Sequence, residues 1–472
     1  VAAALCPALA PAASAAAGAH IAAVARASSG TWGTAEKVPG LAALNQGGNA
    51  VITSVSCASP GNCSAGGSYA SSRTRDQAFV VDETGGSWGT AQQIAAARNK
   101  GGEARLLSVS CTSPGNCSAG GYYASARTQR GPVYQAFVVG ETDGTWGNAQ
   151  EVAAALNKGG GAQITSVSCA SPGNCGAGGF YTGIGAVEHA FVISEANGIW
   201  GTAAHVPGTM YRRHLISAIT SVSCASAGNC SAGGDGPNST APDFGEGFMV
   251  GETNGVWGRA QAIPDVTAPN QAEITSVSCA AVGNCGAGGS LQIEANPGPV
   301  SQALVVDETD GTLGQAQEVA VSLNKNGFAQ INSVSCPSAG NCSAGGFYTG
   351  GADRVQGFVI GETNGTWGEA EQVPGIAALN TGRDAEISSV SCASPGNCSA
   401  GGFYTVGGAA RHAFVVSETD GTWGTAQEVA AALDKGGYGQ VSSVSCALPG
   451  NCGAGGQYRG RVKEQAFVIG ES

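Results

Sequence analysis

The chain is written in short apolar runs separated by glycine-rich turns, and the same set of four runs recurs from end to end. In one copy the runs are Ile164 to Cys169, Cys175 to Tyr181, Ala190 to Glu195 and Trp200 to Val206. Ser171-Pro172-Gly173-Asn174 separates the first two and Asn197-Gly198 the last two, and both are turn sequences. Helical periodicity is absent, so each copy predicts four β-strands. The first two runs carry small residues, as in Ser166-Val167-Ser168 and Ala177-Gly178-Gly179, while the last two carry Phe191, Val192 and Trp200. Wedge-shaped sheets that crowd together at an axis and spread at a rim need that gradient in size. Burial on both sheet faces explains why apolar runs replace simple alternation.

Cysteines mark the period. The pairs Cys57/Cys63, Cys111/Cys117, Cys169/Cys175, Cys224/Cys230, Cys279/Cys285, Cys336/Cys342, Cys392/Cys398 and Cys446/Cys452 are eight C-x5-C units, with first cysteines 54 to 58 residues apart. Four strands per unit of this length, repeated around a ring, predict an all-β fold, an eight-bladed β-propeller with four antiparallel strands per blade. The ends of the repeat fit closure. Gly30-Thr31-Trp32-Gly33 reads as a fourth strand without its first three, and Phe467 to Glu471 as a third strand without a fourth. Trp32 recurs as Trp88, Trp146, Trp200, Trp257, Leu313, Trp367 and Trp423. Pairing the N-terminal strand into the last blade would remove two exposed sheet edges. The expected organisation is therefore a single propeller over 18–472, with 18–39 supplying the missing strand. Each cysteine pair brackets a tight turn, which predicts one disulfide across the first hairpin of each blade. Zinc is not expected, because the pairs belong to separate blades with no histidine at matching positions, and no cofactor motif is present.

Composition changes the picture in two ways. A formal net charge of −12 argues against a general grip on nucleic acid, which needs a continuous cationic surface. Val1 to Ala17 is alanine-rich, uncharged and ends in small residues, like the latter part of a secretory signal. Removing it leaves sixteen cysteines, an even number that favours disulfides in an exported, extracellular chain. No later apolar stretch approaches the roughly 20 residues of a membrane span.

On these residues the units resemble the cysteine-containing propeller repeats of exported proteins from high-GC bacteria, over nearly the whole chain from Gly30. The turn Ser417-Glu418-Thr419-Asp420-Gly421-Thr422-Trp423 is also similar to the Asp-box of sialidase-type propellers, with a shorter gap between Asp and Trp and with Asn197, Asn254 and Asn364 in other copies. Both resemblances imply the fold and say little about activity. The adjacent-cysteine pair of quinone-dependent alcohol dehydrogenases, another eight-bladed group, is absent.

In a propeller, the loops from strand two to three and from strand four to the next blade share one face, and the tight turns share the other. Eighteen of the 21 Lys and Arg residues fall in the first set of loops. The opposite face collects Glu83, Glu141, Glu195, Glu252, Glu308, Glu362, Glu418 and Glu471, one per blade. That ring could attract calcium, but the expectation is that these glutamates accept backbone hydrogen bonds beside their turns. A sharper pattern is paired. Asn45, Asn99, Asn157, Asn324, Asn380 or Asp434 stands twelve residues before the first cysteine of a blade, and Tyr69, Tyr123, Tyr181, Tyr348, Tyr404 or Tyr458 twelve after it. Blades four and five lack both, which suggests that the two side chains of a blade touch. Read structurally, Asn holds the Asn-Lys-Gly-Gly turn over the tyrosine ring. Read functionally, an aromatic face and an amide form one small sugar pocket per blade.

Catalysis needs one asymmetric constellation, which an eightfold repeat does not itself supply. The irregular sector is blades four and five, where Arg212, Arg213, His214, Asp243 and Glu246 lie in divergent loops, and an active site would belong there. The leading expectation is a secreted, lectin-like recognition module with repeated sites for cell-surface or cell-wall glycan. A hydrolase or lyase acting on polysaccharide through blades four and five, and a protein-binding scaffold, are the alternatives.

Overall fold

The computed structural model describes residues 30–209, 216–237, 245–266, 269–294, 298–408 and 410–472, with only the backbone of Asp353. The segment 1–17 lies outside the described residues. Eight antiparallel sheets follow one another in chain order, numbered here as blades one to eight by their cysteine pairs. In blade one the strands are Ala50–Ser59, Asn62–Ser72 and Arg75–Thr84, followed by an outer strand in two pieces, Ser87–Trp88 and Gln92–Ile94. The sequence predicts one continuous outer strand. It breaks after the tryptophan, where the Gly89 N–H turns back to the carbonyl of Asp82, and both pieces still pair with the third strand.

Blade eight is closed by the N-terminal segment. Glu36–Lys37 pairs with Phe467 and Val468, and Trp32 bridges to Glu471. Disulfides join Cys57–Cys63, Cys111–Cys117, Cys169–Cys175, Cys224–Cys230, Cys279–Cys285, Cys336–Cys342, Cys392–Cys398 and Cys446–Cys452, one across the first hairpin of every blade.

The sequence predicts bridges that staple a single hairpin, and the structure gives them a second place, in the seam between blades. Cys230, Cys398 and Cys452 are buried at 5, 3 and 6 % exposure and belong to the apolar clusters of blades four, seven and eight. The sulfur of Cys398 lies 3.3 Å from the Ser343 hydroxyl of blade six, and that of Cys452 lies 3.5 Å from Ser399 of blade seven. The Cys224–Cys230 bridge sits so close to Gly176 of blade three that a Cβ there would come within 2.9 Å of both sulfurs. These cysteines are therefore packing residues of the core as well as staples of a hairpin.

The inner strand of each blade would otherwise be a bare sheet edge, and buried backbone N–H groups need acceptors. The Ser-Val-Ser-Cys sequence supplies them from the neighbouring blade. Ser54 and Ser56 of blade one accept hydrogen bonds from the backbone N–H groups of Val109 and Cys111 of blade two, at 3.0 and 2.9 Å. The pattern continues around the ring to Ser443 and Ser445 of blade eight, which accept from Val55 and Cys57 of blade one at 2.9 Å. Small residues are thus needed here for hydrogen bonding as well as for space. The paired glycines of the second strand are fixed by close approach: a Cβ at Gly67 would lie 1.9 Å from the Val51 carbonyl oxygen of its own blade, and one at Gly66 would meet Leu106 and Val109 of the next.

Both sets of tight turns do share one face. In blade three the Gly198 N–H donates to the Gly173 carbonyl, tying the two turns together. The Asn or Asp of the outer turn takes positive φ, as at Asn197 (51°) and Asp420 (48°), a conformation these side chains tolerate better than most. Each blade buries its own apolar cluster between its sheet and the preceding one; Phe79, Phe137, Phe191, Phe358, Phe414 and Phe467 are fully buried.

Candidate functional site

On the loop-bearing face, the predicted asparagines reach backwards. Asn99 donates to the Asp76 carbonyl at 2.9 Å and to the Gln77 side chain at 3.0 Å, both in the third strand of blade one, while its own oxygen accepts the Gly102 N–H at 3.0 Å. Asn157 makes the same contacts with Tyr134, Gln135 and Gly160, and Asn324 with Ser301, Gln302 and Phe328. Asn380 donates to the Val355 carbonyl and to Gln356, and Asn45 to the Glu464 carbonyl across the closure. Asp434 accepts from the N–H groups of Tyr438 and Arg459, and the blade before it offers His412 where the others offer glutamine.

These residues therefore clamp the loop between two blades. The contact expected with the tyrosine is replaced by one to its neighbour: Thr405, after Tyr404, donates to Asn380, and Arg459, after Tyr458, to Asp434. The visible sequence signal for the clamp is the glutamine 22 to 24 residues upstream, which accompanies the asparagine.

Tyr69, Tyr123, Tyr181, Tyr348, Tyr404 and Tyr458 lie beneath the loops, each at most 6 % exposed. The rings of Tyr69, Tyr123, Tyr181, Tyr348 and Tyr404 pack on the phenylalanine of the same blade, for example Tyr123 on Phe137 at 6.3 Å between centroids. The Tyr123 hydroxyl donates to Glu151 at 2.5 Å, and Tyr181 meets His205 at 3.4 Å. Burial raises the pKa of all six hydroxyls above the ordinary tyrosine value. What the clamped loop presents outward is the next residue. Lys100, Lys158, Lys325 and Lys435 are exposed there, with exposed Arg73, Arg127, Arg130 and Arg461 in the adjoining loops.

On the turn-bearing face, clefts open between neighbouring blades. Those between blades one and two, two and three, and five and six have volumes of about 280, 370 and 360 Å³ and are lined by disulfides and the glutamate ring. The sequence predicts that these glutamates bond to backbone beside their own turns. Instead five of them accept from serines of the preceding blade, as Ser118 donates to Glu195, Ser231 to Glu308 and Ser399 to Glu471, at 3.3, 3.0 and 3.1 Å.

The residue before each glutamate alternates around the ring as Asp82, Gly140, Ser194, Gly251, Asp307, Gly361, Ser417 and Gly470. Where it is serine, the hydroxyl bridges indole and glutamate, although Glu252 keeps its second oxygen buried without a partner. Ser194 accepts from the Trp257 indole at 2.8 Å and donates to Glu252 at 2.5 Å; Ser417 accepts from Trp32 at 3.0 Å and donates to Glu471 at 2.6 Å. Where it is aspartate, Asp82 and Asp307 accept from the indoles of Trp146 and Trp367, each at 3.0 Å to the nearer oxygen. The adjoining Glu141 and Glu362 are 5 % exposed, and each keeps a buried oxygen with no hydrogen-bond partner. Burial first, then the neighbouring aspartate, pushes both glutamates up to about 7.

In the irregular sector, Arg212, Arg213, His214 and Asp243 lie outside the described residues. Glu246 sits in the third strand of blade four, opposite Gly236. Nearby Asp235 is pushed up to about 6 by burial, then by the charges of Glu273 and Glu188. In adjoining blade three Tyr181 packs with His189 and His205, and burial lowers both imidazole pKa values.

No protein-family model matches the chain, and no curated protein does. Among solved structures it is similar to a polysaccharide lyase of family PL25, an ulvan lyase, at 9 % identity and TM-score 0.42 over 86 % of this chain and 95 % of that one. It is also similar to a subtype N11 neuraminidase-like protein of A/flat-faced bat/Peru/033/2010 (12 %, 0.38, 95 % and 94 %). A Hadza microbial sialidase aligns at 10 % and 0.37 over 72 % and 68 %. Scores this low carry no inference about what the chain binds or does.

Proposed function

We propose that the protein is an exported recognition module whose loop-bearing face binds a repeating acidic glycan of a cell surface or wall. The observation that carries this reading is the lysine after the clamp: Lys100, Lys158, Lys325 and Lys435 recur at one position of a loop held rigidly between blades, all exposed. None of the four enters an ion pair among the described residues. Clamped loops present these cations at little ordering cost, and repeated weak contacts on one polymer gain avidity. Eight disulfides suit an oxidising compartment, and no helix among the described residues is long and apolar enough to cross a membrane. The predicted Asn and Tyr residues serve in this reading as the support that preorganises each site.

The test is binding of the oxidised protein to uronate, sulfated and phosphate-bearing polysaccharides beside neutral dextran. Acidic polymers bind and dextran does not. Raising salt from about 0.1 M to about 1 M, which shortens the screening length from roughly 10 to 3 Å, abolishes the binding. Equal, salt-insensitive binding of neutral polymers would overturn the reading. The raised Asp235 beside Glu273 and Glu188 favours a second reading, hydrolysis or elimination in the blade-four/five sector, since a carboxyl poised near neutrality suits acid–base work. Product release in the same assay, lost in Asp235→Asn, would mark the protein as that enzyme.

A further inference from the structure

The turn-bearing face differs from blade to blade in one respect that packing leaves unexplained. The four interfaces at which a residue of an odd-numbered blade meets the tryptophan and glutamate of the next use Ser194 and Ser417 in two places and Asp82 and Asp307 in the other two. The aspartates are four blades apart, on opposite sides of the ring. In the serine interfaces one hydroxyl hydrogen-bonds indole and carboxylate together, although at Ser194 the other oxygen of Glu252 is also buried without a partner. In the aspartate interfaces two acids stand side by side, the indole N–H serves the aspartate alone, and Glu141 and Glu362 each keep a buried oxygen without a partner. Each pair opens on a cleft, of about 280 Å³ for Asp82 and Glu141 and about 360 Å³ for Asp307 and Glu362. Burying a carboxyl against a second, half-buried one is costly unless a proton or a cation joins them.

We propose that Asp82 with Glu141, and Asp307 with Glu362, form two equivalent sites for a hard divalent cation, calcium. All the protein donors would be oxygen, the chemistry calcium prefers, and the clefts leave room for the waters that would complete its shell. Among the described residues no group of three or more Asp, Glu, His or Cys side chains converges as a ready-made metal site. Two carboxylates and water make a weak site, in the range of about 10⁻⁴–10⁻³ M that extracellular modules use. The glutamate ring as a whole does not take part: Glu195, Glu308, Glu418 and Glu471 are already held by serines of the blade before. The sites are independent of whatever the loop-bearing face binds.

The protein itself supplies both probe and control. Trp146 and Trp367 touch the two aspartates, so terbium(III), a luminescent stand-in for calcium, should emit when the indoles are excited. The expected result on the full oxidised chain is sensitised emission saturating near two equivalents, displaced by millimolar calcium. Asp82→Ser and Asp307→Ser install the arrangement the ring already uses at Ser194 and Ser417, so both variants should fold. Each should remove one equivalent, and the double variant should remove all sensitised emission and any rise in melting temperature with calcium. Emission and stabilisation that persist in a folded double variant would overturn the proposal. So would a wild-type protein that neither binds terbium nor changes its melting temperature in about 10 mM calcium, a concentration well above the expected range for such a site.

Discussion

Single residues carry most of what separates one blade from another. Asp82 in place of serine turns a hydroxyl-bridged interface into a pair of acids, and the pH dependence of stability should record it. Glu141 and Glu362 have folded pKa values of about 7 against an ordinary value of 4.5, so between those limits the folded chain binds more protons than the unfolded one. Their contribution is therefore fully present below about pH 4.5 and is lost as pH rises through 7. In chelator, the melting temperature should fall across that window, and Asp82→Ser with Asp307→Ser should lessen the fall, with the part due to burial remaining. A double variant whose profile falls as steeply as the wild type's would refute the charge pairing. Sequence alone showed the glutamate ring but not its partners, because the serines that satisfy it lie 72 to 77 residues away, in the preceding blade. The cysteines behave alike: the pairing of Cys398 with Cys392 was legible from spacing, but its burial against Ser343 of the blade before was not.

At the scale of elements, strands and turns were legible because their signals are local: Pro-Gly-Asn and Asp-Gly turns, small inner strands, aromatic outer ones. The broken outer strand was not, since the sharp turn after the tryptophan depends on a carbonyl of the adjacent strand. The Asn–Tyr pairing was visible, yet its cause lies across the blade boundary: Asn157 holds Tyr134 and Gln135 of the preceding blade rather than Tyr181 of its own. Asn157→Ala should therefore loosen an interface as well as a loop. Leaving a buried amide and carbonyl without partners costs about 1–3 kcal/mol. A chemical-denaturation midpoint should show that loss, and hydrogen exchange should rise both at Gly160 and at the start of the third strand of blade two. Exchange confined to the loop would mean that the clamp does not bind the blades together.

The whole molecule was readable from the arithmetic of the repeat: eight cysteine pairs, seven tryptophans in eight equivalent places, and a lone fourth strand near the start that completes the three at the end. What the repeat could not disclose was how the two faces divide the work, since that depends on which side chains the ring uses internally and which it leaves outside. The central claim is that the lysines following the clamps act together on one acidic polymer. The direct measurement is the affinity of a graded series, with one, two and then all four of Lys100, Lys158, Lys325 and Lys435 changed to glutamate, for the acidic polysaccharide that binds wild type best. These side chains are exposed, so melting temperatures should hold across the series. One change should weaken binding a few-fold and four should weaken it on the order of 10²-fold or more, because avidity falls with the number of sites engaged. A folded fourfold variant that binds as tightly as wild type would contradict the account.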